Sequence, residues 1–182
     1  MKVPVTLIII ILVLAGCRRE PVAVPRRPAY PRIQAPDTAR IAADGLPAPF
    51  SVSASAVMVS PRPGWLDVTY PAYGAVANIT FTRGRGPELE EALANRLERM
   101  TLNAGGLPSE RREWTNAAGF RILCLRTDRC ATPWQFVAAD SRMVVSGALR
   151  FHDPEAVMAT DSIGPILDAM AADLTVALDS LR

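Results

Sequence analysis

Apolar and polar residues alternate with a period of two along much of the chain, the pattern of half-buried strands. Phe50, Val52, Ala54, Ala56 and Met58 alternate mainly with serines and read as one strand. Trp65 to Tyr70 forms a second, and Ala75, Ala77, Ile79 and Phe81, set between Asn78, Thr80 and Thr82, a third. The turn Pro71, Ala72, Tyr73, Gly74 joins these last two into a hairpin. The period then changes to 3.6. Gly86 and Pro87 open a helix with Glu88, Glu90 and Glu91 at its positive end, Leu89, Leu93, Leu97 and Met100 form one apolar stripe, and Gly105 and Gly106 stop it.

Strands resume over Glu110 to Thr115, Phe120 to Leu125, Trp134 to Ala139 and Met143 to Phe151, an antiparallel meander whose last two members meet at a tight turn, Asp140 to Arg142. A final helix starts with Asp161 or Ser162 as N-cap and buries Ile163, Ile166, Leu167, Met170, Leu174, Ala177, Leu178 and Leu181. Its aspartates are expected on the wet face. The order strands, helix, strands, helix predicts an α+β fold: a layered domain with an antiparallel sheet covered by packed helices.

The first part of the chain follows neither period. Lys2 precedes an apolar run from Val3 to Leu14, which leads directly into Ala15, Gly16 and Cys17. This reads as a signal peptide ending in a lipobox. As a helix the run reaches about 18 Å, short of the roughly 30 Å hydrocarbon core, so it is an export signal rather than a permanent span. The thiol of Cys17 is the nucleophile that takes the lipid, and its acyl chains anchor the mature protein to a membrane. From Arg18 to Pro36 come five prolines and five arginines without apolar periodicity, a tether that extends about 60 Å at most. The organisation expected is therefore residues 1–16 signal, 17–48 lipidated cysteine and Pro/Arg-rich tether, and 49–182 one α+β domain.

Composition narrows the chemistry. Without the signal the only lysine is lost, and nineteen arginines face eighteen acids, so nothing points to nucleic-acid binding. Cys124 and Cys130 flank a five-residue loop, and in an oxidising compartment a disulfide between them is expected; the other reading is a buried thiol at Cys124 beside a free loop cysteine. Zinc needs four ligands and His152 is the lone histidine, so neither a metal nor another cofactor is expected. Ser146 and His152 sit six residues apart on one strand, about 20 Å, too far for proton transfer. Arg83, Gly84, Arg85, Gly86 lacks the lysine and hydroxyl of a phosphate loop. The residue pattern predicts no enzyme. Trp65, Tyr70, Tyr73 and Trp134 are candidate stacking groups for a ligand, with core packing as the plainer explanation.

Several segments together carry a family resemblance. They are Arg27, Pro28, Ala29, Tyr30, Pro31, Arg32, Ile33; Pro49, Phe50, Ser51, Val52; Trp65, Leu66, Asp67, Val68, Thr69, Tyr70, Pro71; Gln135, Phe136 with Asp140, Ser141; Gly147, Ala148, Leu149, Arg150, Phe151; and Asp161, Ser162, Ile163, Gly164, Pro165. The chain resembles the gliding-motility lipoprotein GldD family of the Bacteroidota, and the similarity runs from the tether to the last helix. The cysteines that the family commonly places before the Pro-Phe and Trp-Leu pairs are Ala48 and Gly64 here. The arrangement also looks like the Mog1 and PsbP type of fold.

The resemblance implies a non-catalytic lipoprotein that supports the assembly or operation of the gliding motility and type IX secretion apparatus. Its implied partners are the membrane, through N-terminal acyl chains, and an envelope protein complex of that apparatus. Arg18 and Arg19 after Cys17 favour the outer membrane, periplasmic face. The competing function is a periplasmic ligand-binding or cell-wall-modifying lipoprotein.

Overall fold

The structure, a computed structural model, describes residues 38–153, 155 and 163–182. The chain divides into two units, Met1–Pro31 and Arg32–Arg182, and every described residue belongs to the second. Its strands are β1 (Arg40–Ala42), β2 (Ser51–Ser53), β3 (Val57–Val59), β4 (Trp65–Tyr70), β5 (Ala75–Arg83), β6 (Ser109–Thr115), β7 (Arg121–Thr127), β8 (Trp134–Ala139) and β9 (Met143–Phe151). Its helices are α1 (Pro87–Ala104) and α2 (Ile163–Asp179).

Seven strands form one antiparallel sheet in the order β3-β4-β5-β9-β8-β7-β6. The turn at Pro71–Tyr73 closes the β4–β5 hairpin as expected. After β5 the chain crosses through α1 to the far edge, and the meander β6 to β9 returns until β9 pairs with β5 along nine positions, from Ala75 opposite Phe151 to Arg83 opposite Met143. Both edges are kept from pairing further: β6 carries Glu110, Arg111, Arg112 and Glu113, and β3 is only three residues long.

Strand parity separates the two faces. Leu123, Leu125, Val137, Ala139 and Val144 point to α1 and pack with Leu89, Leu93, Leu97 and Met100, the stripe expected of that helix. Gly105 ends α1 in the left-handed conformation, where its N–H bonds the Leu102 carbonyl. On the opposite face Leu66, Val68, Ile79, Ile122, Phe136, Val145 and Leu149 meet Leu167, Met170, Leu174 and Leu178 of α2. This is the larger core, and each fully buried Leu, Ile or Phe in it contributes about 1.5–3 kcal/mol. Gly147 is required here by close approach, since a Cβ would lie 2.4 Å from the Phe136 ring.

Three expectations change. The alternation from Phe50 to Met58 is not one strand: β2 pairs with β1 in a separate two-stranded sheet, whereas β3 pairs with β4. The break falls in the serine run, where the Ser53 hydroxyl bonds the Ser55 N–H and hydroxyl and bends the backbone. The folded domain also begins before Pro49, because Arg40–Ala42 is paired in β1 and Ala48 is buried in the core with Phe50, whose ring meets Phe81 edge-on at 5.8 Å. Finally, the aspartates of α2 are not all on its wet face: Asp168 and Asp179 are exposed, but Asp173 is only 4 % exposed. The N-cap expected at Asp161 or Ser162 lies outside the described residues.

Candidate functional site

Asp173 lies among the apolar residues of α2, three positions after Met170 and four before Ala177. A carboxylate there must be compensated in full, and three distant segments do so. Its Oδ1 accepts the Ser53 N–H at 2.9 Å and pairs with Arg40 Nη1 at 2.8 Å, while its Oδ2 accepts the Tyr70 hydroxyl at 2.9 Å. Arg40 also donates to the carbonyls of Asp173 and Ser51. Burial, reinforced by the adjacent carboxylate, pushes the Tyr70 phenol far above its ordinary range, so it serves as a donor. The junction fastens β1, β2 and β4 to the closing helix. Among the described residues no buried side-chain nitrogen or oxygen lacks a hydrogen-bond partner.

The second polar cluster is on the other face. Helix α1 covers β8 and part of β9, and beside it the sheet presents Trp65, Asn78, Thr80, Ser146 and the small Ala148 instead of large aliphatic side chains. A cavity of about 160 Å³ lies between this strip and Arg96, Arg99 and Asn103 of α1. Gln135 closes one end: it is buried, its Oε1 accepts Asn103 Nδ2 at 2.9 Å, and its Nε2 donates to the Met100 carbonyl at 3.3 Å. The hydroxyls of Thr80 and Ser146 stand 2.8 Å apart. Asn78 is fixed at both ends, donating to Asp67 at 2.6 Å and accepting from Arg150 at 2.6 and 3.0 Å. The cluster therefore offers hydroxyls and amides held by hydrogen bonds, with two guanidiniums beside them, around a small space.

The other residues singled out in the sequence fall in several places. Tyr70 and Trp134 are core residues, Trp134 packing on Phe136 at 5.5 Å. Tyr73 is half-buried, which raises its phenol, and Trp65 lines the cavity with the Arg62 guanidinium 3.6 Å from its ring centre. Phe50, Phe136, Leu149 and Phe151 are buried, whereas Pro49, Pro71 and Ser141 are exposed. Asp140 shapes the β8–β9 turn by accepting the Arg142 and Met143 N–H groups at 2.8 and 2.7 Å. His152 is exposed beyond the end of β9, where its backbone N–H bonds the Gly74 carbonyl. Cys17, Tyr30, Arg32, Asp161 and Ser162 lie outside the described residues.

The bridge expected between Cys124 and Cys130 is not formed. Cys124 shares the α2-facing parity of Ile122 and is packed in that core, and burial pushes its thiol up to about 12. Cys130 lies in the β7–β8 loop against the end of α1, its sulfur 3.0 Å from the Asn103 carbonyl. The two thiols are thus held by different helices on opposite faces of the sheet.

Asp173, Arg40, Arg96 and Arg99 were not foreseen as site residues. Only the arginine pair gives a local sign, two like charges at i and i+3 with no acid three or four positions from either. Among the described residues no three His, Cys, Asp or Glu side chains gather to hold a metal, and no helix is long and apolar enough to cross a membrane. No curated protein matches the chain. The model of the family described as gliding motility lipoprotein GldD matches residues 20–182, which takes in every element above, and the chain belongs to that family.

Proposed function

We propose that this motility-related lipoprotein is a non-catalytic component of the envelope that supports the assembly or operation of the gliding motility and type IX secretion apparatus. The observation that carries the reading is the family match, which extends from the tether through the closing helix. In keeping with it, the only histidine is exposed at a strand end and Ser146 is bonded to Thr80 rather than to a base. The lipid on Cys17 keeps the domain at the outer membrane, facing the periplasm, and its partners are envelope proteins of the same apparatus.

The test is deletion of the gene in a gliding host, followed by complementation with the parent chain or with Cys17→Ser. Deletion is expected to abolish spreading and type IX secretion, and Cys17→Ser to appear in the soluble fraction and to restore neither. Normal motility and secretion in the deletion strain would refute the role. Cleavage of the domain by protease added to intact cells would refute the periplasmic orientation.

A further inference from the structure

The cavity beside α1 has two cations on its wall and no anion. Arg96 and Arg99 are neighbours at i and i+3, where like charges repel. The helix supplies no compensating acid at the facing positions, which are Ala92, Leu93 and Met100 for Arg96, and Asn95, Leu102 and Asn103 for Arg99. Neither guanidinium makes an ion pair or hydrogen bond among the described residues. Other arginines of the domain do: Arg40 with Asp173, Arg126 with Asp168, Arg142 with Asp140, and Arg150 with Asn78. Arg96 is half-buried, and this burial together with the charge of Arg99 holds it below the ordinary guanidinium range. A partly desolvated cation without a partner is unfavourable unless something supplies the opposite charge.

The facing wall completes a donor set. Thr80 and Ser146 share one hydrogen bond between two hydroxyls, and the remaining proton rests on the Ser146 carbonyl at a long 3.4 Å, from which it can turn to a better acceptor; Asn103 uses one of its two amide protons on Gln135. Backbone at Gly147 and Ala148 brings the floor close. About 160 Å³ is room for an acid group and a few more atoms, not for a nucleotide or a haem.

We propose that this cavity binds a small oxyanion, the carboxylate or phosphate group of a ligand. Arg96 supplies the charge-assisted pair, Arg99 adds to the field, and the hydroxyls of Thr80 and Ser146 orient the oxygens. The site is separate from the supporting role proposed above, and its test reads no motility.

The full chain in detergent is titrated calorimetrically with inorganic phosphate, acetate, D-glucuronate and uncharged D-glucose. Saturable binding is expected for phosphate or for the two carboxylates, and none for glucose; the anions that bind tell a phosphate source from a carboxylate source. Arg96→Gln is expected to weaken binding about tenfold, the loss of one charge-assisted bond. Arg85→Gln, outside the cavity, should leave it unchanged. If Arg96→Gln fails to show the parent's cooperative thermal unfolding, Arg99→Gln on the exposed side takes its place, with a smaller loss expected. The proposal is overturned if no anion binds, if glucose binds as well as glucuronate, or if Arg85→Gln weakens binding as much as the cavity variant does.

Discussion

Asp173 shows how one side chain can hold several segments together. Its three partners come from a strand near the start of the fold, the bend after it and the first hairpin. Asp173→Ala would leave the Tyr70 hydroxyl and the Ser53 N–H unpaired in the core and Arg40 without its anion. Loss of about 3 kcal/mol is expected, read as a lower urea midpoint at unchanged slope. The cysteines behave as two separate thiols. In the folded protein Cys130 should react with an aromatic disulfide reagent and Cys124 only on unfolding; under mild oxidation mass spectrometry should find no internal bridge. Rapid labelling of both would contradict the packing of Cys124.

At the level of elements, β1 and β2 form a small flap that α2 and the sheet hold from below. A chain starting at Pro49 would keep every strand of the large sheet but lose β1, Arg40 and buried Ala48. It is expected to be less stable than one starting at residue 38 and to be cut sooner by protease after Val52; equal resistance would show that the flap is dispensable. Six strands of the large sheet, β4 to β9, and both helices could be read from their periods, because each turns an apolar face to a neighbour, whereas β3 reads as one strand with β2. The flap could not. Its serines and alanines alternate like a strand, yet the backbone bends where the Ser53 hydroxyl bonds Ser55, and the acceptor that holds the Ser53 N–H lies 120 residues away on another element. The same distance hid Asp173, which in sequence is one more aspartate on an amphipathic helix, with its cation 133 residues away. The cavity was half legible: Trp65, Gln135, Gly147 and Ala148 stood out as family positions, but nothing local places Arg96 and Arg99 above them.

For the whole molecule, stability depends on pH through two buried acids. Both Tyr70 and Cys124 are harder to ionise folded than unfolded, Cys124 moving from 9.0 to about 12. An unfolded chain therefore releases these protons at its ordinary thiol and phenol values, while the folded chain retains them. Their contribution is complete below pH 9.0 and is lost as pH rises from there toward about 12 for the thiol, with the phenol following from 10.0 upward. Each group gives a slope of up to about 1.4 kcal/mol per pH unit. Urea midpoints measured at intervals across that range should fall, and Cys124→Ala should flatten the first part of the decline. A profile identical to the parent's would mean the thiol is not buried in solution.

Residues 38 and 39 lead into the body at β1, and the first side chain of that strand is gripped by a carboxylate from the last helix. Tension arriving along this leader is thus handed at once to the opposite end of the polypeptide. The long sheet is bypassed, so a pull on the N-terminal side of β1 would strain the Arg40 clasp well before it disturbed the strands beneath.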